Sequence, residues 1–335
     1  MRCPSIRELP GPPAGRTGWP WTEGSESLPS EMPNGGAWPC ITVVTPSFRQ
    51  AAFLEATLRS ILLQGYPNLE YFVLDGGSRD GSVEIIKKYE RWLTYWVSER
   101  DGGQSAAINR GLRMGTGSHA TFINSDDMLC QNALNTHVTT YDLADDVIDI
   151  GDCINIDGDG TFLFTHRGRI ETLEQLLRVR SVWQAEQRYI SQQEVLFPLP
   201  LALSVGALNE SNHYSMDYEL WGRLLLAGAT VRYTGIPFGV FRRHDAQKTQ
   251  QIYAQTLSTL DAAEALLEMA SGLDPQTKQE IAAELRRYRD EYPRLYWRST
   301  GRLARLGLPR SMVNAVRYLR RAGMNIGSGV SGSAE

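Results

Sequence analysis

The chain has 335 residues, 42% of them hydrophobic and 21% charged, with a formal net charge of −4. That length accommodates one large domain or two modest ones, and the composition excludes fibrous and wholly disordered classes. Net acidity argues against nucleic acid as a general partner.

In chain order, residues 1–39 are rich in Pro, Gly and Ser and hold Trp19, Trp21 and Trp38. They are expected to form an N-terminal arm, without an apolar core of signal-peptide length, that docks in part through its tryptophans. "ITVVTPSF" reads as a buried strand ended by Pro46, and Leu54, Leu58, Ile61 and Leu62 continue at helical spacing up to "GYPN". "LEYFVLDGGS" is a second buried strand, "SVEIIKKYERWL" a second helix and "YWVSERDGG" a short third strand. "QSAAINRGLRMG" is a third helix and "HATFINSDD" a fourth strand. Such alternation predicts an α/β fold with a mostly parallel sheet flanked by helices. After residue 130, "VIDIGDCINIDGDGTFLF" reads as a hairpin turning on "DGDG", and residues 171–180 and 216–228 read as helices. "TVRYTGIPFGVFRRH" reads as a strand and residues 250–292 as one or two long helices.

Residues 286–321 form a basic segment: eleven Arg against Asp290 and Glu291 give +9, leaving −13 for the remainder. With Tyr296, Trp297 and Leu303 among the arginines, it predicts either a solvated helix face or a peripheral contact with an anionic membrane. The longest apolar run, "VLFPLPLALSVGAL", is too short to span a bilayer and contains Pro198 and Pro200. Cys3, Cys40, Cys130 and Cys153 lack metal-type pairing and disulfide density, and read as reduced thiols of a cytoplasmic protein.

In parallel sheets ligands bind beyond the carboxyl ends of the strands. "TPSF", "DGGSRDG", "ERDGGQ" and "NSDD" all lie at such ends. Asp75 suits hydrogen bonding to a base or ribose, or a turn before two glycines. Asp126 and Asp127 offer oxygen ligands to Mg2+ or Mn2+, whose shell substrate phosphates would complete, or cap a helix. "NIDGDG" opens like a calcium loop, but His166 stands where a bidentate Glu belongs, so the hairpin turn is preferred. Asp217 and Glu219 at a helix start are dipole partners, or one of them is a general base. His244, flanked by Arg242, Arg243 and Lys248, sits in a segment suited to a diphosphate.

Together, "ITVVTPSFRQAAFLEATLRSILLQGYPNLEYFVLDGGSRDGSVEIIKKY", "SERDGGQSAAINRG" and "NSDD" closely resemble the family 2 glycosyltransferases over about residues 40–130. "SQQEVLFP", "MDYELW" and "FRRHDAQKT" resemble the family's later blocks. The resemblance implies a GT-A, Rossmann-like fold with a C-terminal helical extension. It implies an inverting, metal-dependent transfer of sugar from a nucleotide sugar, commonly UDP-linked, to a glycan or lipid-linked acceptor in bacterial surface-glycan synthesis. The cysteine reading and the basic tail together predict a cytoplasmic protein, peripheral on the inner face of the cell membrane if the tail binds lipid. Carried over by position, Pro46, Phe48 and Asp75 hold the base, Arg79 and Asp101 line the ribose-phosphate side, and Asn124 and Ser125 complete the nucleotide contacts. Asp126 ligates Mn2+ or Mg2+, His244 completes the metal site and Asp217 is the base. Gln104, Asp127, Glu194 and Glu219 surround donor and acceptor. Two positions depart from the pattern: Asn124 replaces the first aspartate of the aspartate-any-aspartate motif, and Met216 replaces an acid before Asp217. The implied division is an arm (1–39), a nucleotide-sugar half (40–135), an acceptor half (136–249) and C-terminal helices with the basic tail (250–335). Those two departures motivate a competing reading, a non-catalytic nucleotide-sugar-binding scaffold. A nucleotidyltransferase is disfavoured, because "TPSFRQ" stands where its Gly-rich, basic loop would be.

Overall fold

A computed structural model describes residues 2–304 of the chain. Its first half alternates β1 (Ile41–Ser47), α1 (Ala51–Leu62), β2 (Leu69–Asp75), α2 (Ser82–Tyr89), β3 (Tyr95–Ser98), α3 (Gln104–Met114) and β4 (His119–Phe122). These four strands pair in parallel, in the order β3-β2-β1-β4. Their continuous apolar runs are explained by burial on both faces. Ile41, Val43, Tyr71 and Val73 pack into one layer with Leu54 and Leu58 of α1 and Ile86 of α2. Val44, Phe72 and Leu74 face the other layer, with Ile108 and Leu112 of α3. Gly111 lets α3 lie against β1: a Cβ there would come within 2.5 Å of Val44 Cγ1.

The remainder comprises β5 (Met128–Leu129), α4 (Ala133–Thr140), β6 (Val147–Asp157), β7 (Phe162–His166), α5 (Leu173–Leu177), β8 (Val195–Pro198), α6 (Leu199–Ser204) and α7 (Met216–Leu226). β9 (Thr230–Arg243), α8 (Ile252–Met269) and α9 (Pro275–Ala304) follow. Among the described residues nine strands form one sheet, ordered β3-β2-β1-β4-β8-β6-β9-β5 with β7 on β6. β8 runs antiparallel between β4 and β6, while β6 and β9 are parallel. This is the GT-A arrangement expected, with α9 as its C-terminal helix. "DGDG" turns the β6–β7 hairpin, where Asp157 Oδ1 accepts the N–H groups of Asp159 (3.0 Å) and Thr161 (2.8 Å).

The arm lies against α1. Arg59, fully buried, donates to the carbonyls of Pro10 (2.7 Å), Pro20 (2.9 Å) and Trp21 (2.9 Å) and to Tyr89 Oη (3.1 Å). Trp19 Nε1 reaches the Leu129 carbonyl at 3.0 Å, and Trp38 is buried. The start of the basic segment is also placed: Leu285, Tyr288 and Tyr292 of α9 are buried in the core. The side chains of Trp297 and Leu303, and all of residues 305–321, lie outside the described residues. No described helix is long and apolar enough to cross a membrane.

Candidate active site

The carboxyl ends of β1, β2 and β4 open into a cleft of about 1350 Å3. Pro46, Phe48, Arg79 and Asp101 line one end, Asn124, Ser125, Asp126 and Asp127 line the floor, and Asp217 stands on the opposite wall. Phe48 is 54% exposed, with the Arg49 guanidinium 4.9 Å above its ring. A Cβ on Gly76 would sit 3.2 Å from Phe48 Cδ2 and 3.3 Å from both Asp101 carboxylate oxygens, so a side chain there would push both neighbours back.

Asp75 does not reach this wall. It is buried, and its carboxylate accepts from Gly77 N (3.1 Å), Ser78 N (2.8 Å), Ser78 Oγ (2.6 Å) and Ser98 Oγ (2.6 Å). It borders instead a side cavity of about 170 Å3 shared with Asp101. Ser78 Oγ in turn accepts the Arg49 N–H at 2.7 Å, so Asp75 ties the "GGS" turn to the "PSF" segment and sets Phe48 from behind.

The acidic tip divides by environment. Asp127 is buried and accepts from Gln193 Nε2 (2.5 Å) and Arg242 N (3.0 Å). Burial, then the neighbouring Asp126 charge, hold its carboxyl well above the usual range. Asp126 keeps some exposure, and His244 Nε2 meets its Oδ2 at 3.0 Å. That separation is a hydrogen bond between the two side chains, and a carboxylate oxygen beside an imidazole nitrogen is a donor set that Mn2+ or Mg2+ accepts. Among the described residues no three His, Cys, Asp or Glu side chains gather around a common metal position. Such an ion would take its remaining ligands from phosphate and water.

Asn124 is spoken for on both sides. A chain of donors runs one way across the floor: Lys248 Nζ to Gln104 Oε1 (3.1 Å), Gln104 Nε2 to Asn124 Oδ1 (2.7 Å), and Asn124 Nδ2 to Gln192 Oε1 (3.0 Å). Gln192 Nε2 ends it on the Phe122 carbonyl. Gln192 and Gln193 carry no sequence signature of their own, and only the block resemblance pointed to their neighbourhood; Lys248 was legible as one of the cations flanking His244.

Asp217 begins α7 and is half-buried. Burial raises its carboxyl above the usual range, opposed by the Tyr218 N–H (2.9 Å from Oδ1) and by the charge of Lys248. Met216, where an acid was expected, is buried and accepts from Ser105 Oγ, a packing role. Glu219 turns away and receives Asn209 Nδ2 (3.1 Å) and Asn212 Nδ2 (2.8 Å), which brace the preceding loop. Glu194 is also off the cleft: fully buried, it accepts Ser191 N at 2.6 Å within a capping box.

An α/β sheet with a ligand cleft at its strand ends, a floor of acidic residues and a carboxyl group poised on a facing helix is the architecture of a GT-A glycosyltransferase. Residues 42–199, just under half of the chain, match the family model described as glycosyl transferase family 2. An uncharacterised glycosyltransferase of Rickettsia typhi is 26% identical over 245 residues, covering 72% of this chain and 74% of that protein. A Bacillus subtilis glycosyltransferase named for teichuronic acid biosynthesis, TuaG, is 32% identical over 92 residues, 27% of this chain and 36% of its own length. Among solved structures, S. aureus TarS 1–349 in complex with UDP superposes with a TM-score of 0.58 at 16% identity, covering 78% of this chain and 75% of that one.

Proposed function

We propose that the protein moves a sugar from a nucleotide sugar, UDP-linked in the first instance, to an acceptor hydroxyl with inversion, in the assembly of a bacterial surface glycan. One observation carries the reading: Asp126, paired with His244, and the half-buried Asp217 line a single cleft whose far end presents Phe48, Arg79 and Asp101. The TarS complex with UDP has the same fold, and TuaG's name supports the glycan class.

In this reading residues 40–135 hold the donor and residues 136–249 face the acceptor. Phe48 packs on the base, Asp101 accepts from the ribose, and Arg79 lies at the phosphate side. Asp126 and His244 would hold Mn2+ or Mg2+, which neutralises charge on a departing diphosphate. Lys248, held toward the floor by Gln104, adds a second positive charge near the diphosphate. Asp217, in its ionised form, takes the proton of the acceptor hydroxyl as that oxygen attacks the anomeric carbon from the face opposite the leaving group. The basic segment, including the unplaced 305–321, would hold the enzyme at an anionic leaflet carrying the acceptor.

The test is UDP release from UDP-sugars in the presence of Mn2+, together with UDP-induced thermal stabilisation. Turnover that Asp126→Ala abolishes supports the reading. Full turnover in that variant removes the metal role, and stabilisation by UDP without product on any acceptor favours a non-catalytic scaffold.

A further inference from the structure

We propose, resting on the transferase reading above, that Arg49, Arg79 and Arg100 form a cationic rim that captures the anionic nucleotide from solution and sets its association rate. All three side chains are exposed and line the cleft. The fold gathers them around one turn. Arg79 ends the "GGSR" turn after β2, and the Arg49 N–H, after β1, donates to Ser78 Oγ of that turn at 2.7 Å. Arg100 follows β3, and its backbone nitrogen lies 3.4 Å from where a Cβ on Gly77 would stand. The segments that leave three neighbouring parallel strands thus each bring one arginine to the same lip.

These charges are left open. Among the described residues none of the three guanidinium groups has a carboxylate or hydrogen-bond partner, and Arg49 rests on the Phe48 ring. The nearby acids are engaged elsewhere: Glu99 pairs with Arg110 at 2.5 Å, and Asp80, off the cleft lining, accepts Ala51 N (3.0 Å) and Ser82 Oγ (2.7 Å). Asp101 is the carboxylate of this lip, and it accepts Gly103 N at 2.9 Å. With Arg243 and Lys248 the cleft lining carries five cations against four acids, two of which, Asp127 and Asp217, burial pushes toward the neutral form. The chain outside residues 286–321 carries −13. An anionic ligand is therefore repelled by most of the body and drawn to this lip. Exposed charges act over about a Debye length, roughly 10 Å at 0.1 M salt, before any contact forms. They consequently change the rate of encounter more than the lifetime of the bound complex. That separates Arg49 and Arg100 from Phe48 and Asp101, whose loss would speed dissociation.

The experiment follows UDP binding to the full chain by stopped-flow tryptophan fluorescence at one fixed Mn2+ concentration, with NaCl varied from about 20 to about 300 mM. UDP-induced thermal stabilisation is recorded in parallel. The expected result is an association rate constant that falls about tenfold across that range. Arg49→Gln and Arg100→Gln should each lower it about threefold at the low-salt end, leave the dissociation rate unchanged, and together flatten the salt dependence. Arg287→Gln, on an exposed position of α9, removes the same charge and should leave all three readouts as in the parent chain. An association rate indifferent to salt, while UDP still stabilises the protein, overturns the proposal and leaves the transferase reading in place. So does a rim variant that speeds dissociation alone, which would make its arginine a contact of the bound nucleotide. An Arg287→Gln effect as large as theirs would make net charge the cause and overturn the rim as well. UDP that neither binds nor stabilises the protein would remove the transferase reading, and the proposal with it.

Discussion

Asp217 is the side chain on which turnover is expected to depend most. Asp217→Asn should lower the transfer rate by about 10²–10⁴-fold while UDP-induced stabilisation persists. Lys248 lowers the Asp217 pKa against burial, so Lys248→Met should move the acidic limb of the rate profile to higher pH. A limb that stays in place would mean that the two charges do not communicate. At the floor, Asn124 donates to Gln192 Oε1 and, at 3.4 Å, to Asp127 Oδ2. Asn124→Asp would set a carboxylate against both acceptors and cost about 1–3 kcal/mol in denaturant unfolding, with no gain in metal affinity. Glu194 gives a pH signature. Burial raises its carboxyl well above the usual range, so the folded state retains a proton that the unfolded chain releases near its ordinary pKa. The contribution of this group to stability is then fullest below about pH 4.5 and is lost as pH rises above it, by up to about 1.4 kcal/mol per unit. Glu194→Gln should flatten that slope in melts compared across pH.

The elements that were legible in the sequence are those with long apolar periods. β1, β2, α1 and α3 follow from runs that need burial on both faces of a sheet or along one helical stripe. β5, two residues long, and β8, a four-residue antiparallel insertion within "VLFPLPLALSVGAL", have too few residues to show a period. Their place is set by neighbours remote in sequence, Gly239 and Val240 for β5 and Ala120 for β8. The same limit explains the site. Strand-end clusters marked the cleft, but the directions of two side chains were invisible: Asp75 bends into its own turn, and Glu219 lies on the helix face away from Asp217. The contact of the arm with α1 was foreseen only as docking by tryptophan; the buried Arg59 that receives the carbonyls of Pro10, Pro20 and Trp21 had no pattern to reveal it. Arg59→Met should cost about 3 kcal/mol, since three carbonyls lose charged donors. Limited proteolysis should then cut within residues 1–39 well before the core, and an arm as resistant as in the parent chain would contradict this.

For the molecule as a whole, the sheet is covered on both faces and α9 lines part of the cleft through Tyr292 and Tyr296. Because Tyr288 and Tyr292 are buried, the basic segment cannot be removed from residue 286 onward without opening the core. A chain ending at Ala304 still lacks Arg305, Arg310, Arg317, Arg320 and Arg321. It should sediment less with anionic liposomes than the full chain; equal sedimentation would exclude those arginines as the anchor. The arm bears on biogenesis as well. Trp19 bonds to Leu129, 110 residues later in the chain, and Arg59, which gathers the arm's carbonyls, is itself synthesised after it. A ribosome therefore delivers the arm long before its seat exists. Trp19 waits for its partner until four strands have emerged, so the arm's outer contact is among the last to close.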